Sequence, residues 1–225
     1  VGDRDPARKT QGQTSVAAMN LMGYDAMTLG PKELALDLDV LRQRIAEAEF
    51  AVLSANAVVS ASGELLAAPY IVRQIGGHTV AIIGLSGGGG SGEITVADPL
   101  QTAETVVAQV ASQADVIILL SHAGPAVDQH IAERVPGIDV IISGGTEYGY
   151  GSPLFGAGGV LLVHADQTSP GHAGRQIGIA RLTFDAQGQL AAQQWQRLTL
   201  RPEVIAEDPS MAQWVQQVVQ PQANP

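Results

Sequence analysis

The sequence predicts a layered α/β fold with a mixed sheet, and three features carry that prediction. Apolar strand-like runs alternate with amphipathic helical runs along much of the chain. Asp115-Val-Ile-Ile-Leu-Leu120 and Ile138-Asp-Val-Ile-Ile142 are so uniformly apolar that both faces must be covered, which predicts helices on both sides of their sheet. Gly76-Gly77 joins the extended runs Pro69 to Ile75 and His78 to Gly84 as a hairpin, so antiparallel pairing enters as well.

The elements follow in order. Val16, Met19 and Met22 share one helical face between Gln11 and Met22, and Gly23 supplies the residue expected just past a helix end. Tyr24 to Leu29 is a short strand, Asp37 to Phe50 a helix with Leu38, Leu41, Ile45 and Ala48 inward, and Ala51 to Ala55 a strand. After the hairpin come a helix from Asp98 to Gln113, the strand ending at Leu120, a short helix from Val127 to Val135, and the strand Ile138 to Ile142. Val160 to His164, Gln176 to Phe184 and Ala191 to Leu200 are strands, the last two joined by the turn Asp185-Ala-Gln-Gly188. Asp208-Pro209 starts a final helix, Asp as cap and Pro at the first position, with Met211, Trp214, Val215, Val218 and Val219 as its apolar stripe.

Composition narrows the function classes. Of 225 residues, 45% are hydrophobic and 15% charged, a globular balance rather than a disordered one. Twenty-two acidic against 12 basic side chains leave a net charge of -10, which repels a nucleic-acid backbone. The absence of cysteine removes thiolate metal sites and cysteine nucleophiles. No apolar run reaches the roughly 20 residues that a transmembrane helix needs. Gly87, Gly89 and Gly92 satisfy a dinucleotide-cradle spacing, but Glu93-Ile-Thr-Val-Ala-Asp-Pro99 after them does not start a helix, so a flexible loop is the expectation. No Gly-x-Ser-x-Gly elbow points to a serine hydrolase.

Ala18-Met-Asn-Leu-Met-Gly-Tyr-Asp-Ala-Met-Thr-Leu-Gly30 resembles the segment that precedes the Asn-His-Glu metal motif of the 5'-nucleotidase branch of the calcineurin-like metallophosphoesterases. Phe50-Ala-Val-Leu-Ser-Ala-Asn56, Val80-Ala-Ile-Ile-Gly-Leu85, Leu119-Leu-Ser-His-Ala-Gly124 and Val135-Pro-Gly-Ile-Asp-Val-Ile-Ile142 are similar to that family, in its order. The resemblance implies a four-layer αββα sandwich with mixed sheets over residues 1–200, followed by a connector helix and tail over 201–225. Val1-Gly-Asp3 resembles the end of the family's second strand. The resemblance therefore implies that the first strands lie outside this sequence, and that a protein partner or an N-terminal segment completes the sheet. Members of this branch are commonly exported, which implies an extracytoplasmic location, periplasmic or secreted.

The family holds two metal ions on an Asp-x-His pair, a Gly-Asp, an Asn-His, a Ser-His and a Gly-His-x-His; the metals activate water and clamp the phosphoryl group. This chain departs from that pattern. Gly-Asn-His-Glu-Phe-Asp is replaced by Gly30-Pro-Lys-Glu-Leu-Ala35, so Pro31 stands for the ligating Asn, Lys32 for the catalytic His, and Ala35 for the Asp that orients it. Gly-His-Ser-His is replaced by Gly144-Gly-Thr-Glu147. Asp3 and His122 remain at ligand positions, with Glu147 as a substitute. His122 is either a metal ligand or a hydrogen-bonded histidine at a strand end, Lys32 either an anion-binding cation or a solvated charge, and Glu147 either a cation ligand or a solvated acid. The expectation is a catalytically degenerate domain serving as a binding or structural subunit, with no cofactor. The alternative is an active phosphohydrolase with an altered site of Asp3, Lys32, His122 and Glu147 around a single weakly bound divalent cation.

Overall fold

Short apolar strands need neighbours for their backbone groups and cover for their side chains, and the architecture supplies both. The computed structural model describes residues 6–90, 92–145, 152–165, 176–201, 203 and 205–219. In chain order the elements are α1 (Gln13–Leu21), β1 (Ala26–Thr28), α2 (Pro31–Leu34), α3 (Leu38–Glu47), β2 (Ala51–Leu53), β3 (Ala57–Val59), β4 (Tyr70–Ile75), β5 (His78–Leu85) and β6 (Ile94–Val96). They continue with α4 (Pro99–Val110), β7 (Val116–Ser121), α5 (Pro125–Arg134), β8 (Val140–Ser143), β9 (Leu154–Phe155), β10 (Leu161–His164), β11 (Gln176–Phe184), β12 (Leu190–Thr199) and α6 (Pro209–Val219).

Six strands form one sheet in the order β4-β5-β7-β8-β10-β9. Its centre, β5, β7, β8 and β10, is parallel; β4 and β9 close the two sides antiparallel. The β4-β5 hairpin turns where expected, with Gly76 at φ 60° and Gly77 at φ 90°, the left-handed pair that a two-residue turn requires. Asp98 caps α4 by accepting from the Gln101 N–H at 2.8 Å, with Pro99 at the first helical position.

One face of the central strands, with Ala81, Ile83, Leu85, Ile117, Leu119, Ile141 and Leu162, packs under α4 and α5 to make the largest core. The opposite face is covered not by helices, as the apolar runs alone predict, but by strands, as the four-layer resemblance implies. Here β1 and β2 lie against β5 and β7, while β11 and β12 lie over Val140, Leu161 and Val163 through Leu182, Phe184 and Trp195. A second β layer rather than helices therefore buries these strands, because segments before and after them pair as strands and present apolar side chains inward. Leu34, Leu38 and Leu41 of α2 and α3 then cover that second layer from outside, which completes the αββα arrangement. Asn20 ties α1 to the end of α3, donating to the Glu47 carbonyl and accepting from the Glu49 N–H, both at 2.9 Å. The segment after the glycine run forms β6, antiparallel to β3.

Two glycines mark where layers or side chains meet too closely for a Cβ. A methyl on Gly84 would stand 2.5 Å from Leu53 Cβ and 2.7 Å from its carbonyl carbon, so Gly84→Ala should lower stability by about 1–3 kcal/mol. Gly89→Ala, where no atom lies within 4 Å, should stay within about 0.5 kcal/mol of wild type, and urea unfolding of both variants measures the difference. The Trp195 ring lies 2.3 Å from where a Gly178 Cβ would project. Gly178→Ala should consequently lift the indole off the β11-β12 ribbon, and a red shift of Trp195 emission in a Trp214→Phe background measures it.

Candidate functional site

Parallel pairing sets the C-terminal ends of neighbouring strands level, so the loops that leave them gather at one edge of the sheet. Leu85 is in register with Ser121, and Ser121 with Ser143. The loops beginning at Ser86, His122 and Gly144 therefore meet, and the loop that follows β1 joins them from the second layer. His122 sits at the junction. Its N–H donates to the Leu85 carbonyl at 2.8 Å, and Gly144 N–H donates to the Ser121 carbonyl at 2.7 Å.

Glycines from three loops surround His122, two loops beside the half-buried imidazole and one against its backbone. A Cβ on Gly30 would lie 2.7 Å from His122 Cδ2 and 2.8 Å from Nε2; one on Gly144 would lie 3.8 Å from Cδ2, and one on Gly145 3.9 Å from Cε1. Gly87 lies against the His122 backbone, where a Cβ would fall 1.9 Å from the carbonyl oxygen. Within the glycine run, Gly87 and Gly90 are thus needed for close backbone approach, and the strand β6 rather than a helix comes next.

Gly30-Pro31-Lys32-Glu33-Leu34-Ala35 folds as a single helical turn. Pro31 takes the first position of α2 and Lys32 the second, both exposed, and Ala35 follows the turn, also exposed. Glu33 is buried, and its Oε2 accepts from the Gly30 N–H at 2.8 Å. Its carboxylate therefore serves the start of its own helix while lying on the same side of Gly30 as the His122 ring. Asp3 and Glu147, the other residual ligand candidates, lie outside the described residues.

Beneath the loops lies a buried polar cluster that sequence reasoning passed over. Asp128, fully buried on α5, accepts from Ser121 Oγ at 2.5 Å and from Ser143 Oγ. Burial pushes its carboxyl up to about 6, and the two serine hydroxyls act in the opposite direction. The signal was there: Pro125, Asp128, Ile131 and Ala132 form the inward stripe of α5, and a carboxylate on such a stripe needs a partner. A second network joins β2 to β5 and the end of β6. Asn56 Nδ2 donates to the carbonyls of Ser86 at 2.9 Å and Ala97 at 3.1 Å, and its Oδ1 accepts from the Ser86 N–H at 2.8 Å.

No protein-family model matches the chain. A probable 5'-nucleotidase of Treponema pallidum is 32% identical over 164 residues, which cover 68% of this chain and 28% of that protein. The 5'-nucleotidase precursor of Thermus thermophilus superposes with a TM-score of 0.83 at 29% identity, over 96% of this chain and 46% of that one. The sulfate thiohydrolase SoxB of Thermus thermophilus shares the fold, with a TM-score of 0.85 at 22% identity over 96% of this chain and 40% of its own. The chain spans about a quarter to two fifths of the length of the first curated relatives that it matches. Sequence likeness over most of its length and a shared fold over nearly all of it make this chain a calcineurin-like metallophosphoesterase domain of the 5'-nucleotidase family.

Proposed function

We propose that this domain is a metallophosphoesterase scaffold that binds or supports other protein segments and does not itself hydrolyse phosphate esters. The observation that carries the proposal is the donor set around His122. A two-metal centre needs several carboxylate and imidazole ligands brought together by separate loops. At the position of the ligating Asn, Pro31 offers no side-chain donor atom, and at the position of the catalytic His stands the ammonium of Lys32. Glu33, the acid retained from that motif, accepts from the Gly30 backbone. At Gly144 and Gly145, close to the imidazole, backbone stands where the family pattern begins its Gly-His-x-His. Such a set does not fit two transition-metal ions.

Apolar surface supports the subunit part of the reading. Leu21, Met22 and Tyr24 are 59%, 54% and 46% exposed between α1 and β1, and among the described residues β1 pairs with β2 alone. No described helix is long and apolar enough to cross a membrane. An extracytoplasmic location goes with this reading; the cysteine-free composition and the Thermus relative, a protein named as a precursor, support it.

A second reading is favoured by one observation, that the relatives are named as nucleotidases: an active phosphohydrolase with a single divalent ion held by Asp3, His122 and Glu147, and Lys32 on the anion. Metal analysis after dialysis, followed by phosphate release from AMP and an aryl phosphate with added Mn²⁺, Zn²⁺ and Co²⁺, separates the two. The silent reading expects at most one loosely held ion per chain and no turnover above buffer. Two retained ions, or turnover that His122→Ala abolishes, would establish the enzyme.

A further inference from the structure

The most heavily buried charge-bearing group near the crevice is one that no ligand could reach. Asp128 is 0% exposed, and the two hydroxyls that it accepts belong to Ser121 and Ser143, themselves 1% and 4% exposed. These serines are the last residues of β7 and β8 and face each other in register. Each immediately precedes a loop of the crevice: Ser121 precedes His122, and Ser143 precedes Gly144-Gly145. Ser121 Oγ also accepts the Ala123 N–H at 3.1 Å, so the same hydroxyl sets the path of the chain just past the imidazole.

We propose that Asp128 is the positioning residue of this crevice, its carboxylate accepting both serine hydroxyls so as to set the separation of the His122 loop from the Gly144-Gly145 loop. The bridge runs from α5 to two strand ends at once, and a neutral hydrophobic residue in its place would leave both hydroxyls buried without an acceptor. An ionised carboxylate only accepts, and has lone pairs for both hydroxyls. When protonated, its own O–H must be placed on one of the same two oxygens, one of which already takes the Ala123 N–H, so a serine has to turn away. The assignment goes beyond the question of activity, since it concerns the shape that an occupant meets in a silent and an active site alike.

Among the described residues, Asp128 has no charged partner. The strands facing it, β7 and β8, carry no ionisable side chain; His164 of β10 is buried as the register neighbour of Ser143. On α4, which packs against α5, the one charged residue is Glu104, exposed, and on α5 itself His130, Glu133 and Arg134 are exposed. The sign of the stability effect follows. Unfolded, the carboxyl holds its proton up to about 3.8; folded, burial raises that to about 6. Between these values the native state binds more protons, so stability falls as pH rises through the window. A group that costs stability when ionised, and yet orders two loops, is placed for geometry.

Asp128→Asn tests this. The amide can accept one serine and donate to the other, so the fold should persist while the titration disappears. In a His122→Gln background, which removes the ring's own protonation, the Ala123 and Gly144 amide resonances of the otherwise native chain should move together with one midpoint near 6. That midpoint should vanish in Asp128→Asn. A midpoint that survives the substitution, or two loops that titrate independently, overturns the proposal. Thermal unfolding should show the native chain losing stability relative to Asp128→Asn between pH 3.8 and about 6, and parallel curves would count against a buried ionised carboxylate. Should Asp128→Asn fail to fold, Ser143→Ala keeps the question open to decision: it should shift the Ala123 resonance as well as that of Gly144, and a shift confined to Gly144 refutes the bridge.

Discussion

In-register parallel pairing of β5, β7, β8 and β10 is the constraint on which the rest depends. It sets Leu85, Ser121, Ser143 and His164 side by side on one face of the sheet. With those residues level, the loops that follow must leave from one line, and His122 falls where three of them converge. Displacing any strand by one residue would turn its apolar set from one face to the other. The buried patterns of Ala81-Ile83-Leu85 and Ile117-Leu119 therefore hold the crevice in place as firmly as any contact within it.

Close approach follows from that alignment. The loops can crowd around His122 because Gly30 brings backbone where a side chain would collide with the ring, and Gly87 where one would collide with the His122 carbonyl. The same economy operates between layers at Gly84, on which Leu53 of the second layer rests. Buried polar groups then secure what the glycines admit. Asn56 joins Ser86 to the end of β6, and Asp128 joins the ends of β7 and β8. Each satisfies groups that would otherwise be buried without partners, and each fixes a loop origin rather than a loop tip.

The proposed retention of the fold without its chemistry is physically consistent, because different residues carry the two. The side chains that make this an αββα sandwich lie on strands and helix stripes, whereas the metal ligands of the family lie in the loops. Pro31, Lys32 and Ala35 alter what the first loop offers without touching Leu29 or Leu34, which stay buried in the core. Pro31 even suits its place, since the first helical position needs no N–H.

Much of the architecture was legible in the order of residues. Gly76-Gly77 announced the hairpin, Asp98-Pro99 the start of α4, and the apolar runs around Val116 and Val140 the central strands, because turn chemistry, capping and periodicity are local properties. The family was equally open to sequence, through the runs around Ala18, Phe50, Val80, Leu119 and Val135. Periodicity alone left open what covers the second face of those strands, since an apolar run records that it is buried and not by what; the second β layer was implied only through the family resemblance. Tertiary structure alone showed that Glu33 turns back to the Gly30 N–H, and that Gly87 of the glycine run lies against the backbone of His122. The meeting of Asp128 with Ser121 and Ser143 was likewise beyond the sequence. Those residues stand 7 and 15 positions apart, and only strand register together with the seating of α5 brings one carboxylate between two hydroxyls.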